Sequence, residues 1–202
     1  MIKRWPIGSL FGIMAVVVYI TMGFVSFLHY PAAYSPLHNA LSQLGASTLN
    51  PSGAIFYDLG GIMLGALLIP FYLGMSRWNT GGKPLKILIV AAQIGGIVSS
   101  LGLVWSCVFP AGPQINLHVL GASSAFISSI FFWIFTAFAL LRIPLSIKWM
   151  AYFGYLPLVS NIVLAFVPAG RFLIEWVSVG FFLVYVVLLS YNSRVMTLAR
   201  AR

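Results

Sequence analysis

GAIFYDLGGIMLGALLIPFYLGM, residues 53–75, carries one ionisable side chain, Asp58, in 23 positions and ends two residues before Arg77. A run of this length matches the ~20 apolar residues needed to cross a bilayer core as a helix. Neither a period-2 alternation nor a single apolar stripe is present, so the segment is apolar all round and belongs in lipid. Gly60, Gly61 and Gly65 punctuate it, and the Gly61-Ile-Met-Leu-Gly65 spacing lets helix backbones approach closely.

Working outward, the same pattern recurs. An uncharged run at 8–28 follows a basic start at Lys3 and Arg4, and it is read as a retained helix because it is long for a signal peptide and further runs follow. Runs at 85–108, 115–141, 148–167 and 171–192 complete six, separated by the basic turn 77–86, the Phe109-Pro-Ala-Gly-Pro113 break, the basic turn 142–148 and Pro168-Ala-Gly170. The composition agrees. Of 202 residues, 61% are hydrophobic and 6% charged, which a soluble domain of this length could not hide from water. The fold class expected is all-α, a single polytopic bundle of six transmembrane helices over 1–202.

With six spans both termini share one side. All the lysines and arginines except Arg171 then fall on that side, which the positive-inside rule makes cytoplasmic in a prokaryotic inner membrane. The net charge of +9 therefore reflects topology, and no basic stripe or zinc spacing accompanies it to suggest nucleic acid. Cys107 is the single cysteine, so an intrachain disulfide is excluded. No facing histidine pair suits haem, and no glycine-rich cradle suits a nucleotide. Membrane lipid is the expected surrounding partner, and the glycine-rich faces would permit a homo-oligomer.

The polar outer loop contains Tyr34-Ser35-Pro36-Leu37-His38-Asn39-Ala40-Leu41-Ser42-Gln43-Leu44-Gly45. Ser35 is a good cap, Pro36 fits a first helical position and Gly45 a stop. Leu37, Leu41 and Leu44 fall on one side, so residues 34–45 are expected to form a short amphipathic lid helix whose His38 or Asn39 meets the polar layer beneath.

That layer holds the chemistry. The only acids, Asp58 and Glu175, both lie inside spans, where carboxylates are costly and usually face a bundle interior. Both sit near the outer ends, as does His118, while Asn161 lies about two turns down and Trp105 and Ser106 close the third span. Arg171 and Glu175, at i and i+4, share a helix face. The candidates for catalysis are His118, Glu175 and Asp58. Those for ligand binding are His38, Asn39, Ser42, Asn161, Arg171 and Trp105. If a divalent metal is used, His38, Asp58, His118 and Glu175 are its candidate ligands.

The 34–45 stretch, the His118-Val-Leu-Gly-Ala122 segment opening a later span and an acid near the start of the last one resemble the prokaryotic membrane family called domain of unknown function 998. The resemblance covers nearly the whole chain, and it implies six spans and a site at Asn39, Ser42, His118 and Glu175, but no activity. Three functions are open on this reading: an outward-facing pocket for a lipid headgroup or small ligand, a metal-dependent hydrolase or transferase acting on a lipid, and a proton-coupled transporter.

Overall fold

The structure is a computed structural model and describes residues 5–112, 114–166 and 171–201; the side chains of Leu164, Ala165 and Arg171 lie outside that description. Among the described residues the chain is helical throughout, with no strand. The order is α1 (Ile7–Leu28), a 3₁₀ helix (Leu41–Gly45), α2 (Ala54–Gly74) continued by a 3₁₀ turn (Met75–Trp78), α3 (Lys83–Val108), α4 (Ile115–Arg142), α5 (Trp149–Phe153), α6 (Tyr155–Phe166) and α7 (Arg171–Arg200). Among the described residues five helices are long and apolar enough to cross a membrane. A helix satisfies its backbone polar groups internally, as a lipid environment demands.

The expected fifth span differs in form. It is divided into α5 and α6 at Gly154, where a Cβ would lie 2.8 Å from the Tyr185 hydroxyl of α7. Pro157, in the first turn of α6, also has no N–H to offer the preceding turn. Together α5 and α6 cover about 27 Å at 1.5 Å per residue, close to a bilayer core in length. The expected turn at Pro168-Ala-Gly170, like Pro113, falls outside the described residues.

Successive helices pack side by side, and α7 returns to α1 to close the ring. The α3–α4 hairpin is its tightest part. A Cβ at Gly102 would lie 2.7 Å from the Ala125 backbone nitrogen, and one at Gly121 would lie 2.7 Å from that of Ser106. These glycines bring two backbones together, the packing role their spacing suggests. Apolar side chains such as Ile20, Phe24, Ile94 and Ile127 point outward and stay exposed, as a lipid-facing surface requires.

The centre is filled by aromatic rings. Tyr72, Phe132, Trp133 and Tyr185 are each almost wholly buried. Their ring centroids are linked at 5.0 Å (Tyr72–Phe132), 5.2 Å (Phe132–Trp133) and 5.4 Å (Trp133–Tyr185). The two ends of the bundle differ in charge. The start of α1, the end of α2 and the end of α7 meet at one end, where Trp78 Nε1 donates to Ser193 Oγ at 2.7 Å. Arg77, Lys83, Lys86, Arg142, Lys148, Arg194 and Arg200 lie in the same end or the turns leading from it.

The loop after α1 covers the opposite end. It is tied down by Asn50, which is fully buried and donates from Nδ2 to Ser26 Oγ (3.0 Å) and to the Leu44 carbonyl (2.9 Å). The lid element is shorter than its pattern predicts. Ser35 caps a single turn, with Leu37 N–H donating to Ser35 Oγ and Asn39 N–H to the Ser35 carbonyl. Ala40 is then extended, so only Leu41–Gly45 continues, as a 3₁₀ helix. The cause is local competition: Asn39 turns back, its Oδ1 accepting from Ser35 N–H at 3.0 Å and its Nδ2 donating to Gln43 Oε1 at 2.9 Å. Leu41 and Leu44 are buried as the amphipathic pattern requires, but Leu37 is 62% exposed.

Candidate functional site

A cavity of about 110 Å³ runs inside the bundle beneath this loop. Each wall is a helical stripe. On α4 it descends through His118, Ala122, Ala125, Ser129 and Trp133, and on α7 through Glu175, Ser178, Val179 and Phe182. Spacings of three and four keep such residues on one face. Over the 15 residues from His118 to Trp133 the helix rises about 22 Å, so the lining spans from the loop-covered end to the aromatic centre.

The mouth is polar. Glu175 Oε1 accepts from the Ser42 backbone N–H at 3.2 Å, and on the next residue Trp176 Nε1 donates to the Asn39 carbonyl at 3.2 Å. The first turns of α7 thus hold the loop from below. His118 Nδ1 lies 2.8 Å from the Ser106 carbonyl on α3, which fixes the ring at the cavity wall. Tyr19 and Tyr57, from α1 and α2, also line the space and share a hydroxyl contact of 3.2 Å. Just outside it, Tyr34 donates to the Ala40 carbonyl at 2.7 Å. Burial first, and then the nearby Glu175 charge, raise the Tyr34 phenol above its ordinary pKa.

Deeper down the walls become apolar, with Leu64, Leu68, Leu103 and Phe126. Several polar side chains break that surface, among them Asn161, Trp133 and Ser178. Asn161 Nδ2 donates to Ser129 Oγ at 2.9 Å, while its Oδ1 has no protein partner among the described residues. Trp133 Nε1 and Ser178 Oγ are in the same position. All three residues are more than nine-tenths buried and line the cavity. Buried polar groups are nearly always hydrogen-bonded, and here an acceptor, a donor and a hydroxyl without protein partners among the described residues surround one space.

Of the residues singled out from sequence, His118, Glu175, Asn161 and Ser42 meet at this cavity. Asp58 does not line it; its carboxylate packs against Gly45, filling the position of an absent Cβ. His38 is exposed on the loop surface, so of the expected pair only Asn39 reaches inward, through its carbonyl. Trp105 lies outside the cavity, 43% exposed, donating to the Leu117 carbonyl at 3.1 Å and stacked near Phe109. The Arg171 side chain falls outside the described residues. The metal quartet His38, Asp58, His118 and Glu175 is divided accordingly, and among the described residues no three His, Cys, Asp or Glu gather as a ligand set.

Sequence reading passed over Tyr19, Tyr57, Ser129, Trp133 and Ser178. The signal available was periodic: Ser178 follows Glu175 by three residues, and Ser129 and Trp133 continue the stripe that starts at His118.

The fold and its surface define an integral membrane helical bundle. The particular assignment comes from a family model described as "Protein of unknown function (DUF998)", which matches residues 13–199, and the chain belongs to that family. Neither the curated proteins nor the solved structures provide a match.

Proposed function

We propose that this protein binds an amphiphile, a lipid or a small lipid-like ligand, in the cavity between α1, α2, α3, α4, α6 and α7, with the loop-covered end facing the outside of the cytoplasmic membrane. The observation that carries this reading is the graded lining of one cavity. Ser42, His118 and Glu175 offer hydrogen bonds and charge at the mouth, Leu64, Leu68, Leu103 and Phe126 supply apolar walls, and Asn161, Trp133 and Ser178 supply polar contacts at depth. Predominantly apolar lining with a few convergent polar groups is the usual form of a ligand site. In this reading Glu175 and His118 recognise a headgroup, while the 34–45 segment acts as its cover.

The orientation follows from the cations gathered at the other end, which the positive-inside rule assigns to the cytoplasm. Binding is favoured over carriage by the Tyr72, Phe132, Trp133 and Tyr185 rings, which occupy the centre below the cavity. It is favoured over metal-dependent hydrolysis by the separation of the four candidate ligands.

The test is lipid co-purification. Protein extracted in mild detergent is expected to retain a lipid, identified by mass spectrometry, that is lost from Ala122→Phe, which fills the cavity, and kept by Ile127→Phe on the outward surface. Equal retention by the two variants would refute the proposal.

A further inference from the structure

At the cation-rich end a second cavity, about 320 Å³, opens between the first turn of α1, the last turn of α2 with its 3₁₀ extension, and the last turns of α7. Its base is formed where α1 crosses α2 closely: a Cβ on Gly8 would lie 3.1 Å from Gly74 Cα and 3.2 Å from the Pro70 carbonyl. Phe71 and Met196 give it apolar walls.

Its polar equipment is cationic and hydroxylic. Arg77 and Arg200 both line it, from different elements. The Arg200 guanidinium is held in place by donating to the Arg77 carbonyl (2.6 Å) and to the Trp78 carbonyl (3.4 Å). A guanidinium has five N–H donors, so these two bonds leave others for a guest. Ser9, also on the lining, is 3% exposed and its Oγ has no protein partner among the described residues. Among the described residues no carboxylate lines this space. The chain's two acids, Asp58 and Glu175, belong to the opposite ends of α2 and α7. Two arginines, one of them with its guanidinium held in place, and a buried hydroxyl without a protein partner among the described residues therefore line one cavity.

We propose that this cavity is a binding site for a phosphate group, whether carried on an anionic lipid headgroup or free as inorganic phosphate. Arginine suits the task because its planar donors pair with phosphate oxygens in two-point geometry. Ser9 Oγ supplies a further donor from the buried side. The position at a helix-end rim, with apolar walls running along α1 and α7, allows acyl chains to continue into the surrounding bilayer.

The test titrates purified protein with phosphatidylglycerol, phosphatidylcholine and inorganic phosphate separately, reading bound species by native mass spectrometry. Phosphatidylglycerol is expected to bind with an affinity that falls about tenfold in Arg77→Gln, equivalent to the loss of one charge-assisted contact. Ser9→Ala is expected to weaken it in the same direction, and phosphatidylcholine binding should be unchanged by either variant. Arg77 meets the protein here through its carbonyl, so the glutamine variant keeps the Arg200 contact and folds. Displacement of phosphatidylglycerol by inorganic phosphate would assign the site to free phosphate, and its failure to displace would assign it to lipid. The proposal is overturned if both variants bind phosphatidylglycerol as wild type does, or if phosphatidylcholine binds equally well and is equally weakened by Arg77→Gln.

Discussion

Replacing Asn161 with leucine separates a ligand site from a structural polar cluster, because the two roles predict stability changes of opposite sign. Asn161 is 6% exposed, its Nδ2 donates to Ser129 Oγ and its Oδ1 lacks a protein partner. A buried acceptor left unsatisfied costs about 1–3 kcal/mol, whereas a neutral hydrogen bond contributes about 0.5–1.5 kcal/mol net. Leucine has the same heavy-atom count and branching as asparagine and removes both. Ser129 Oγ still donates to the Phe126 carbonyl at 2.7 Å, so it is not stranded by the change. The difference places the ligand-free Asn161→Leu protein between about 0.5 kcal/mol less and about 2.5 kcal/mol more stable than wild type. Ligand retention moves the other way, since a guest that had bonded to Oδ1 loses a partner at about 1–3 kcal/mol, roughly 5- to 150-fold in affinity. The assay pairs unfolding of delipidated protein in mixed micelles with the lipid co-purification described above. Destabilisation by more than about 1 kcal/mol, with lipid still retained, would refute the reasoning, because it would mean that the carbonyl works within the folded chain.

Three further outcomes follow from the same geometry. Gly102→Ala should destabilise the bundle by about 1–3 kcal/mol, since the new methyl meets α4 backbone that cannot move aside, while Gly23→Ala, with nothing within 4 Å of its added carbon, should be neutral; parallel unfolding curves decide this, and equal effects would refute it. Tyr34 holds its proton more tightly than an unfolded tyrosine with a pKa near 10.0, so its contribution to stability is present below that value and is lost as pH rises above it. Ultraviolet titration, with Tyr34→Phe as the difference reference, should place this ionisation above the ordinary range, and Glu175→Gln should move it down by removing a neighbouring negative charge. Trp176→Phe deletes the bond to the Asn39 carbonyl while keeping most of the ring, and should increase amide exchange across residues 39–45 without unfolding α7.

How much of this was legible in the chain depends on which force sets each feature. Helix positions were readable because a long apolar run favours one continuous helix, and α1 to α4 begin and end within a few residues of where composition places them. The division of the fifth span at Gly154 was not, since it depends on the Tyr185 hydroxyl arriving from a helix 31 residues later in the chain. His118, Glu175 and Asn161 were singled out because polar groups in lipid are conspicuous, and with Ser42 of the loop they line one cavity. Asp58 was equally conspicuous and yet belongs to the loop seat against Gly45; depth along a helix is readable from sequence, but the direction a side chain faces depends on which neighbours the ring places beside it. Trp133 was invisible for the converse reason. A tryptophan in an apolar run looks like packing until its N–H is seen buried without a partner.

The two cavities are related through the rings between them. Tyr72, Phe132, Trp133 and Tyr185 fill the mid-section from α2, α4 and α7, and Phe153 of α5 stacks on Tyr185 with centroids 6.1 Å apart. Trp133 is also the deepest lining residue of the loop-side cavity on α4, so its indole belongs both to the central packing and to the cavity wall. Close packing makes such a core resist continuous deformation. Trp133 abuts Tyr185, whose hydroxyl lies against Gly154, the joint between α5 and α6. Trp133→Phe removes the N–H together with the five-membered half of the indole, so at this fully buried position it should cost about 1–3 kcal/mol of packing as well as ligand retention. Ligand retention equal to wild type in that variant would show that the indole N–H does not serve the cavity.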